Sequence, residues 1–115
     1  MAPTVVFDKS GRPLLAIGSP GGSRIICYVA KSLIGVIDWG LDLDQAVSDA
    51  NLCNRNGPSE LEAGSQMVDL EVSLEGLGHK VVIREMNSGV HAVMVADDRL
   101  VGAADPRREG AVRGH

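Results

Sequence analysis

The sequence predicts a single α+β unit, spanning residues 1–115, in which helices pack on an antiparallel sheet. Three observations support this fold class. The 115 residues are 44% hydrophobic and 23% charged, which is enough for one hydrophobic core. Predicted strands and helices occur in runs, in the order β-β-α-α-(β)-α-β-β-β, which favours segregated helices over alternating βαβ units. No internal repeat or long linker divides the chain.

The N-terminal third of the chain predicts a hairpin followed by a helix. Residues 4–7 and 14–17 are apolar and β-prone, and the turn-forming residues 8–13 separate them. Between residues 23 and 39, apolar side chains recur at helical spacing and others surround the cylinder. The pattern predicts a nearly fully buried helix that ends at Gly40.

The middle of the chain predicts two shorter helices. Asp42 followed by Gln45 forms a capping-box pattern, which predicts a helix through about Ala50. Residues 51–58 are rich in Asn and Gly and are predicted to be irregular, and residues 59–62 are predicted to form a short extended piece. A third helix follows from apolar residues at helical spacing, with Gly78 placed to end it; these residues are Met67, Leu70, Leu74 and Leu77.

Three predicted strands complete the chain, at residues 80–84, 90–95 and 100–103, with Asp97-Asp98 at the tip of the last hairpin. A sheet of this kind has open edges, and the chain has one Phe, one Tyr and one Trp to anchor its core. We therefore expect part of its apolar surface to be covered by something outside these 115 residues.

Charge and hydropathy disfavour two classes of partner. Lys and Arg number 11 against 15 Asp and Glu, giving a net charge of −4, whereas nucleic-acid binding usually needs a basic surface. The longest mostly apolar stretch, residues 25–37, is too short for a bilayer and is interrupted by Lys31 and Ser32. We predict no nucleic-acid partner and no membrane span. Residues 1–4 do not show the pattern of an export signal.

The sequence predicts no metal site. Cys27 and Cys53 lie 26 positions apart and belong to no CxxC pair, so we interpret them as small buried residues or ordinary thiols, with a disulfide between them left open. The three histidines lack zinc-ligand spacing, and the acidic residues fit no EF-hand and are interpreted as a solvated face. These residues are His79, His91 and His115, and Asp42, Asp44, Asp49, Glu60 and Glu62.

A glycine-rich segment, Gly18-Ser19-Pro20-Gly21-Gly22-Ser23, lies between a predicted strand and the start of the first helix. The first N–H groups of a helix have no intrahelical acceptor, and glycines let an anionic oxygen approach them, as in an oxyanion hole or a phosphate cradle. The segment lacks the Lys-Ser or Lys-Thr of a Walker loop and the βαβ context of a dinucleotide site. On physical grounds alone, a plain strand-to-helix turn is the commoner interpretation.

Motifs along the whole chain carry a family resemblance. Residues 1–7, 18–26 and 36–41 read MAPTVVF, GSPGGSRII and VIDWGL, and residues 102–111 read GAADPRREGA, with GHKV at 78–81 and VHAV at 90–93 between them. These segments, in this order, resemble the γ-glutamyltransferase family, whose members are also called γ-glutamyltranspeptidases or glutathione hydrolases. The resemblance places the chain in the C-terminal part of that family's small, catalytic subunit.

The resemblance implies an N-terminal nucleophile hydrolase with a four-layer αββα sandwich, of which this chain supplies a part. In this family a precursor cleaves itself into a large and a small subunit. The new N-terminal threonine of the small subunit then takes the γ-glutamyl group of glutathione or a similar compound as an ester, and water or an amino acid or peptide amine accepts it. No cofactor or metal is implied, and bacterial relatives are typically periplasmic or secreted.

The resemblance assigns roles to the glycine turn. It implies that the backbone N–H groups of Gly21 and Gly22 stabilise the developing oxyanion, and that Ser19 and Pro20 shape the turn. We expect both amides to face one concave spot at the start of the helix.

Asp105, Arg107 and Arg108 match the family's C-terminal signature. Such residues in a terminal segment more often form a solvated or docking ion pair than a catalytic group. We therefore interpret them as structural supports for subunit packing or precursor processing. His91 lies where the family often has Gln, and we assign it no role.

The resemblance also shows what these residues lack. The family's nucleophilic threonine and the groups that bind the α-amino and α-carboxylate groups of the substrate lie upstream of the position that Met1 matches. Thr4, the only threonine, lies in a predicted strand. We expect the chain alone to be inactive and its site to be completed by the missing N-terminal part and the large subunit of a parent enzyme. Residues 49–54 depart from the family pattern because they lack its arginine.

Two hypotheses follow. The first is that the chain is part of a γ-glutamyltransferase-like enzyme and contributes the oxyanion-hole turn. The second is that it is a non-catalytic truncated module that oligomerises or docks on a partner subunit through uncovered sheet edges. If the fragment exists alone, we expect a homo-oligomer.

Overall fold

A computed structural model describes residues 2–114, so Met1 of the first family motif and His115 lie outside the described residues. Short 3₁₀ helices at Gly22–Arg24 and Gln66–Leu70 precede two of the α-helices. The α+β class and the predicted order of the main elements are confirmed. In chain order they are β1 (Thr4–Phe7), β2 (Pro13–Gly18), α1 (Ile25–Ile37), α2 (Leu43–Ser48), β3 (Leu52–Asn54), β4 (Ser59–Glu62), α3 (Glu71–Gly76), β5 (Val81–Arg84), β6 (His91–Ala96) and β7 (Arg99–Ala104).

The larger sheet is antiparallel throughout and has the strand order β1-β2-β6-β7. Its first hairpin is closed by the Asp8 carboxylate, which accepts hydrogen bonds from the N–H groups of Ser10 at 2.8 Å and Arg12 at 3.0 Å. The last hairpin turns at Asp97, whose φ of 52° is a conformation that aspartate tolerates in tight turns. Both predicted hairpins are therefore present.

The smaller sheet has the order β3-β4-β5 and corrects two expectations. Residues 52–54, predicted to be irregular, form β3, because they pair with β4 in antiparallel fashion. Strand β5 pairs with β4 in parallel, with Ser59 opposite Val81, so the sheet is mixed rather than purely antiparallel. The connection through α3 explains the parallel pairing, since parallel neighbours need a crossover.

The core lies between the larger sheet and the helices α1 and α2. It is built from aliphatic side chains of β2, β6 and β7 together with one face of each helix; its members include Leu15, Ile17, Ala92 and Ala103 on the sheet and Tyr28, Val29, Leu43 and Val47 on the helices. The capping box that opens α2 is present, with Asp42 and Gln45 in their predicted roles.

Helix α1 is amphipathic, and the prediction that it is nearly fully buried is wrong. Its buried residues recur at intervals of three or four, from Ile25 through Val29 to Gly35. On the other side, Ile26 is 72% exposed and Ile37 56% exposed. Residues 2–114 cover only one face of the helix, and the sequence pattern alone did not show which apolar face they leave open.

The third helix is also shorter than predicted. Its first part, Gln66–Leu70, is a 3₁₀ helix capped by the hydroxyl of Ser65, and only Glu71–Gly76 is α-helical. Gly78 has a φ of 95° just beyond its end, as expected of a C-terminal glycine. Leu77, which belongs to the apolar spacing that predicted this helix, is exposed.

The two cysteines form a disulfide, so the interpretation of them as thiols is wrong and the alternative left open is what the structure shows. Cys27 lies in α1 and Cys53 in β3, with their Cα atoms 5.4 Å apart. Packing of α1 against the smaller sheet brings them together, which their spacing of 26 residues could not reveal.

Reduction of this disulfide should lower the free energy of unfolding by about 3 kcal/mol, because the bond closes a loop of intermediate length in the unfolded chain. The measurement is urea unfolding of the chain with and without dithiothreitol. A double variant, Cys27→Ser with Cys53→Ser, provides the control, since the reductant should not change its midpoint. Equal midpoints for the unsubstituted chain in both conditions would contradict the prediction.

Candidate functional site

The glycine turn between β2 and α1 has a backbone that requires glycine. Gly21 has a φ of 135° and Gly22 a φ of 63°. A Cβ atom added at Gly21 would lie 2.6 Å from Cε2 of Tyr28, so the aromatic ring fills the space that a side chain would need. The backbone angle and the contact with Tyr28 therefore both disfavour any residue other than glycine at position 21.

Two backbone donors of the turn have no partner within residues 2–114. The carbonyl of Gly21 accepts from the N–H of Arg24 at 3.3 Å, and the carbonyl of Gly22 accepts from Ile25, the first residue of α1. Among residues 2–114, no acceptor takes the N–H groups of Gly21 or Gly22 in a hydrogen bond. Both glycines line one concavity of about 360 Å³, together with Arg24, Tyr28, Arg84, Glu85, Asn87 and Arg108.

Ser19 and Pro20 connect the turn to the loop before β6. The Ser19 side chain is buried, and its hydroxyl donates to the carbonyl of Pro20 at 2.7 Å and accepts from the N–H of Gly89 at 3.1 Å. A Cβ atom added at Gly89 would lie 2.8 Å from both Pro20 and Arg108. The backbone of Gly89 therefore packs closely against the side chains of Pro20 in the turn and Arg108 in the C-terminal segment.

Asp105 anchors the same loop from the C-terminal side. Its carboxylate is 1% exposed and accepts hydrogen bonds from the hydroxyl of Ser88, from the N–H of Val90 at 3.3 Å and from the N–H of Arg107 at 3.0 Å. Burial alone would raise the pKa of Asp105, but these hydrogen bonds and the charge of Arg107 outweigh it and lower the pKa. The carboxylate stays ionised and tied to its neighbours.

Arg107 joins two buried carboxylates. Its Nη1 lies 3.0 Å from Oδ1 of Asp105, and its Nη2 lies 2.8 Å from Oε1 of Glu62 in β4. Nη2 also donates to the carbonyl of Asp49 at 2.8 Å, just past the end of α2. Burial alone would raise the pKa of Glu62, but hydrogen bonds from Arg107 and Asn51 lower it. Arg107 therefore binds the C-terminal segment to both α2 and the smaller sheet.

Three arginines surround the other buried carboxylate of β4. Oε2 of Glu60 lies 2.6 Å from Nε of Arg24, and its Oε1 lies 3.2 Å from Arg55 and 3.3 Å from Arg84. The hydrogen bond from Arg24 is the main reason why the pKa of Glu60 falls to about 2. Arg24 follows the glycine turn and lies immediately before α1, so its contact with Glu60 fixes the end of the turn.

These contacts correct the expectation of solvated charges. Asp105, Glu60 and Glu62 are buried rather than solvated, because arginines pair with them: Arg107 with Asp105 and Glu62, and Arg24 with Glu60. Arg108 is exposed, and its Nε donates to the carbonyl of Asn87 at 2.9 Å. The roles of Glu60 and Glu62 were missed from the sequence. The sequence did contain one signal, the alternation of polar and apolar residues in 59–62, which is typical of a strand with one exposed face. In the structure both faces of this strand are buried.

The described part of the chain offers no group of three His, Cys, Asp or Glu side chains arranged to hold a metal ion. His91 is exposed, with its Nδ1 3.0 Å from the carbonyl of Gly89. No helix within residues 2–114 has both the length and the apolar character needed to cross a bilayer.

Comparison with known proteins identifies the family. The model of the γ-glutamyltranspeptidase family matches residues 1–115. The chain belongs to the γ-glutamyltranspeptidase family. It is 39% identical over 110 residues to the glutathione hydrolase proenzyme of Escherichia coli K12 and 31% identical over 117 residues to that of Bacillus subtilis 168. These matches cover 93% and 99% of this chain but 19% and 20% of those proteins, so the chain spans about one fifth of their length.

Solved structures of γ-glutamyltranspeptidases have the same fold. A variant of the Helicobacter pylori enzyme superposes with a TM-score of 0.87 at 29% identity, covering 94% of this chain and 61% of that one. The Pseudomonas nitroreducens enzyme in complex with L-DON gives a TM-score of 0.84 at 26% identity, covering all of this chain and 62% of that one. The fold of this γ-glutamyltranspeptidase segment is that of an N-terminal nucleophile hydrolase.

Replacing Arg107 by glutamine should destabilise the fold by about 3 kcal/mol or more, because it leaves two buried carboxylates without their shared cation. Chemical unfolding of Arg107→Gln against the unsubstituted chain measures the effect. Arg113→Gln removes the same charge from an exposed site in the same segment and should change stability by less than about 0.5 kcal/mol. Similar losses of unfolding free energy in the two variants would show that the ion pairs of Arg107 do not stabilise the fold.

The ionised Glu60 carboxylate should make the free energy of unfolding fall at acidic pH. Its folded pKa of about 2 lies below the ordinary value of 4.5, so its contribution is full above about pH 4.5 and is lost as the pH falls towards 2. Between about pH 5 and pH 2, the unfolding free energy should fall less steeply in Glu60→Gln than in the unsubstituted chain. The exposed Glu75→Gln serves as control and should keep the original slope. An unchanged slope in Glu60→Gln would refute the assignment.

Proposed function

We propose that this chain is the C-terminal part of the small subunit of a γ-glutamyl-transferring enzyme and supplies the oxyanion-binding turn of its active site. Two observations carry the proposal: the N–H groups of Gly21 and Gly22 have no partner among residues 2–114, and both glycines line one concavity at the start of α1. The names of its relatives, glutathione hydrolase proenzymes, support glutathione and other γ-glutamyl compounds as substrates and support self-cleavage of a precursor.

The chemistry expected of the turn follows from its electrostatics. Attack of a threonine hydroxyl on a γ-glutamyl amide places negative charge on the carbonyl oxygen, and two N–H donors at the positive end of α1 stabilise that charge. Collapse of the intermediate breaks the carbon–nitrogen bond, the leaving amine takes a proton, and a threonine ester remains. Water or an amine then attacks the ester through a second oxyanion held by the same donors.

The nucleophile in this proposal comes from the part of the parent polypeptide that these 115 residues do not include. The match to about one fifth of each relative supports this division. Thr4 is a poor candidate, because it lies in β1 opposite Ile17 and its hydroxyl donates to the carbonyl of Ala2 at 3.1 Å. The 115 residues alone are accordingly expected to be inactive.

The C-terminal residues have a supporting role in the proposal. Asp105 and Arg107 hold the loop at Ser88 and Gly89, and Gly89 in turn contacts Ser19 of the turn. In one structurally similar protein, an acivicin-inhibited γ-glutamyltranspeptidase, the C-terminus has critical roles in autoprocessing and catalysis. Its TM-score is 0.87 at 29% identity, over 96% of this chain and 61% of that one. We extend a supporting role in autoprocessing to Asp105, Arg107 and Arg108, and one in catalysis to Asp105 and Arg107 alone.

A docking function is the second candidate, and a specific surface favours it. The outer face of the larger sheet leaves apolar side chains exposed, among them Val5, Phe7, Val93, Val95 and Leu100. A partner subunit or a second copy of this chain is the expected cover. As part of an αββα sandwich this face would instead receive the second sheet, so the activity test below decides between the two candidates.

The test is release of p-nitroaniline from γ-glutamyl-p-nitroanilide by the parent polypeptide that carries the threonine, compared with the 115-residue chain. We expect activity only in the self-cleaved parent. Inactivity of a folded, cleaved parent would leave the docking module as the better description.

Gly21→Ala in the parent should lower kcat about a hundredfold, because the new Cβ collides with Tyr28 and displaces the oxyanion donors. Gly11→Ala is the matched control, since Gly11 also has a positive φ of 85° but lies in the remote first hairpin with open space around it. Its kcat should stay within about twofold of the unsubstituted value. A Gly21→Ala enzyme with normal kcat would exclude these amides from the reaction.

A further inference from the structure

The concavity at the glycine turn carries more positive charge than an oxyanion requires. Its lining includes three arginines, Arg24, Arg84 and Arg108, and one acidic residue, Glu85. Glu60, next to the lining, neutralises one further positive charge through its contact with Arg24. These five side chains carry three positive and two negative charges, a net charge of +1, and Glu60 also pairs with Arg55 outside the lining.

Two of these arginines have donors to spare. Arg84 makes one contact with a carboxylate, from Nη1 to Oε1 of Glu60 at 3.3 Å, and its side chain is 44% exposed. Arg108 makes no ion pair with residues 2–114; its Nε donates to the carbonyl of Asn87. A guanidinium has five N–H groups in a fork that fits the two oxygens of a carboxylate. Most of the donors of Arg84 and Arg108 are therefore available to a ligand.

The hydroxyl of Tyr28 is an independent sign of a ligand site. Tyr28 is 3% exposed and lines the same concavity, with its ring against Gly21. Its hydroxyl makes no hydrogen bond with residues 2–114, and its oxygen is not fully enclosed by protein atoms. A buried ring in the wall of a cavity, with a hydroxyl that has no partner among the described residues, is suited to a hydrogen bond with a bound group.

We propose that Arg84, Arg108 and the Tyr28 hydroxyl bind the carboxylate of the amine partner in the reaction. This partner is the amino acid or short peptide that leaves the γ-glutamyl donor or accepts the γ-glutamyl group. The inference rests on the proposed function, because the N–H groups of Gly21 and Gly22 are assigned to the oxyanion of the scissile carbonyl. The γ-glutamyl group also has an α-carboxylate, for which the family resemblance implies partners upstream of these residues. We therefore assign a second anionic group in this concavity to the other side of the amide bond.

The kinetic test uses two anilides that differ in one carboxylate, γ-glutamyl-p-nitroanilide and γ-glutamyl-3-carboxy-4-nitroanilide, with the self-cleaved parent enzyme. Arg84→Gln and Arg108→Gln should each lower kcat/KM for the carboxylated anilide about tenfold and change it less than about twofold for the uncharged one. Tyr28→Phe keeps the ring against Gly21 and should lower kcat/KM for the carboxylated anilide severalfold. Arg99→Gln, an exposed site in β7, is the control and should leave both values unchanged.

The outcomes separate this inference from the proposed function. Equal losses on both anilides, or none, would overturn the carboxylate site while the enzyme assignment stands. If the unsubstituted parent cleaves neither anilide, the proposed function fails and a binding measurement decides the site by itself. Modification of Arg84 and Arg108 by phenylglyoxal, followed by peptide mass spectrometry, should be slowed severalfold by glycylglycine and much less by glycylglycinamide. Equal rates with the two dipeptides would reject the site.

Discussion

Two buried carboxylates on one short strand determine how the rest of this molecule is arranged. Glu60 and Glu62 of β4 lie inside the protein, and removing two charges from water is costly unless each is paired and hydrogen-bonded. Arginines from other segments of the chain meet this requirement: Arg24, Arg55 and Arg84 surround Glu60, and Arg107 binds Glu62. The start of α1, the end of β5 and the C-terminal segment are thus fixed to the same strand. The buried charges specify the positions of these elements, in addition to any stability they contribute.

The same contacts extend to the glycine turn. Arg107 pairs with Asp105, Asp105 accepts from Ser88, and the N–H of the following Gly89 donates to Ser19 at the start of the turn. On the other side, Arg24 fixes the residue at which α1 begins. The backbone segment that contains the N–H groups of Gly21 and Gly22 is therefore fixed at both ends. Such rigidity favours an oxyanion site, because donors that are already in place need no reorganisation during the reaction.

Local signals in the sequence predicted most of the elements, because hairpin turns, the capping box of α2 and Gly78 act within a few residues. The turn at Gly21 and Gly22 was also predictable, through its position and through the family motifs. The pairing of Cys27 with Cys53, the burial of Glu60 and Glu62, and the parallel pairing of β4 with β5 depend on contacts between residues far apart in sequence. The exposed side of α1 could not be predicted for a related reason. Its apolar residues indicate burial, whereas residues 2–114 cover only one face of the helix.

In the proposed mechanism, the N–H groups of Gly21 and Gly22 hold the oxygen on which charge develops. The most direct measurement is a crystal structure of the cleaved parent enzyme with the γ-glutamyl group esterified to its threonine. We expect the ester carbonyl oxygen to lie at hydrogen-bond distance, about 2.7–3.1 Å, from both nitrogens. An ester oxygen that contacts other donors, with these two amides facing solvent or another part of the enzyme, would contradict the mechanism.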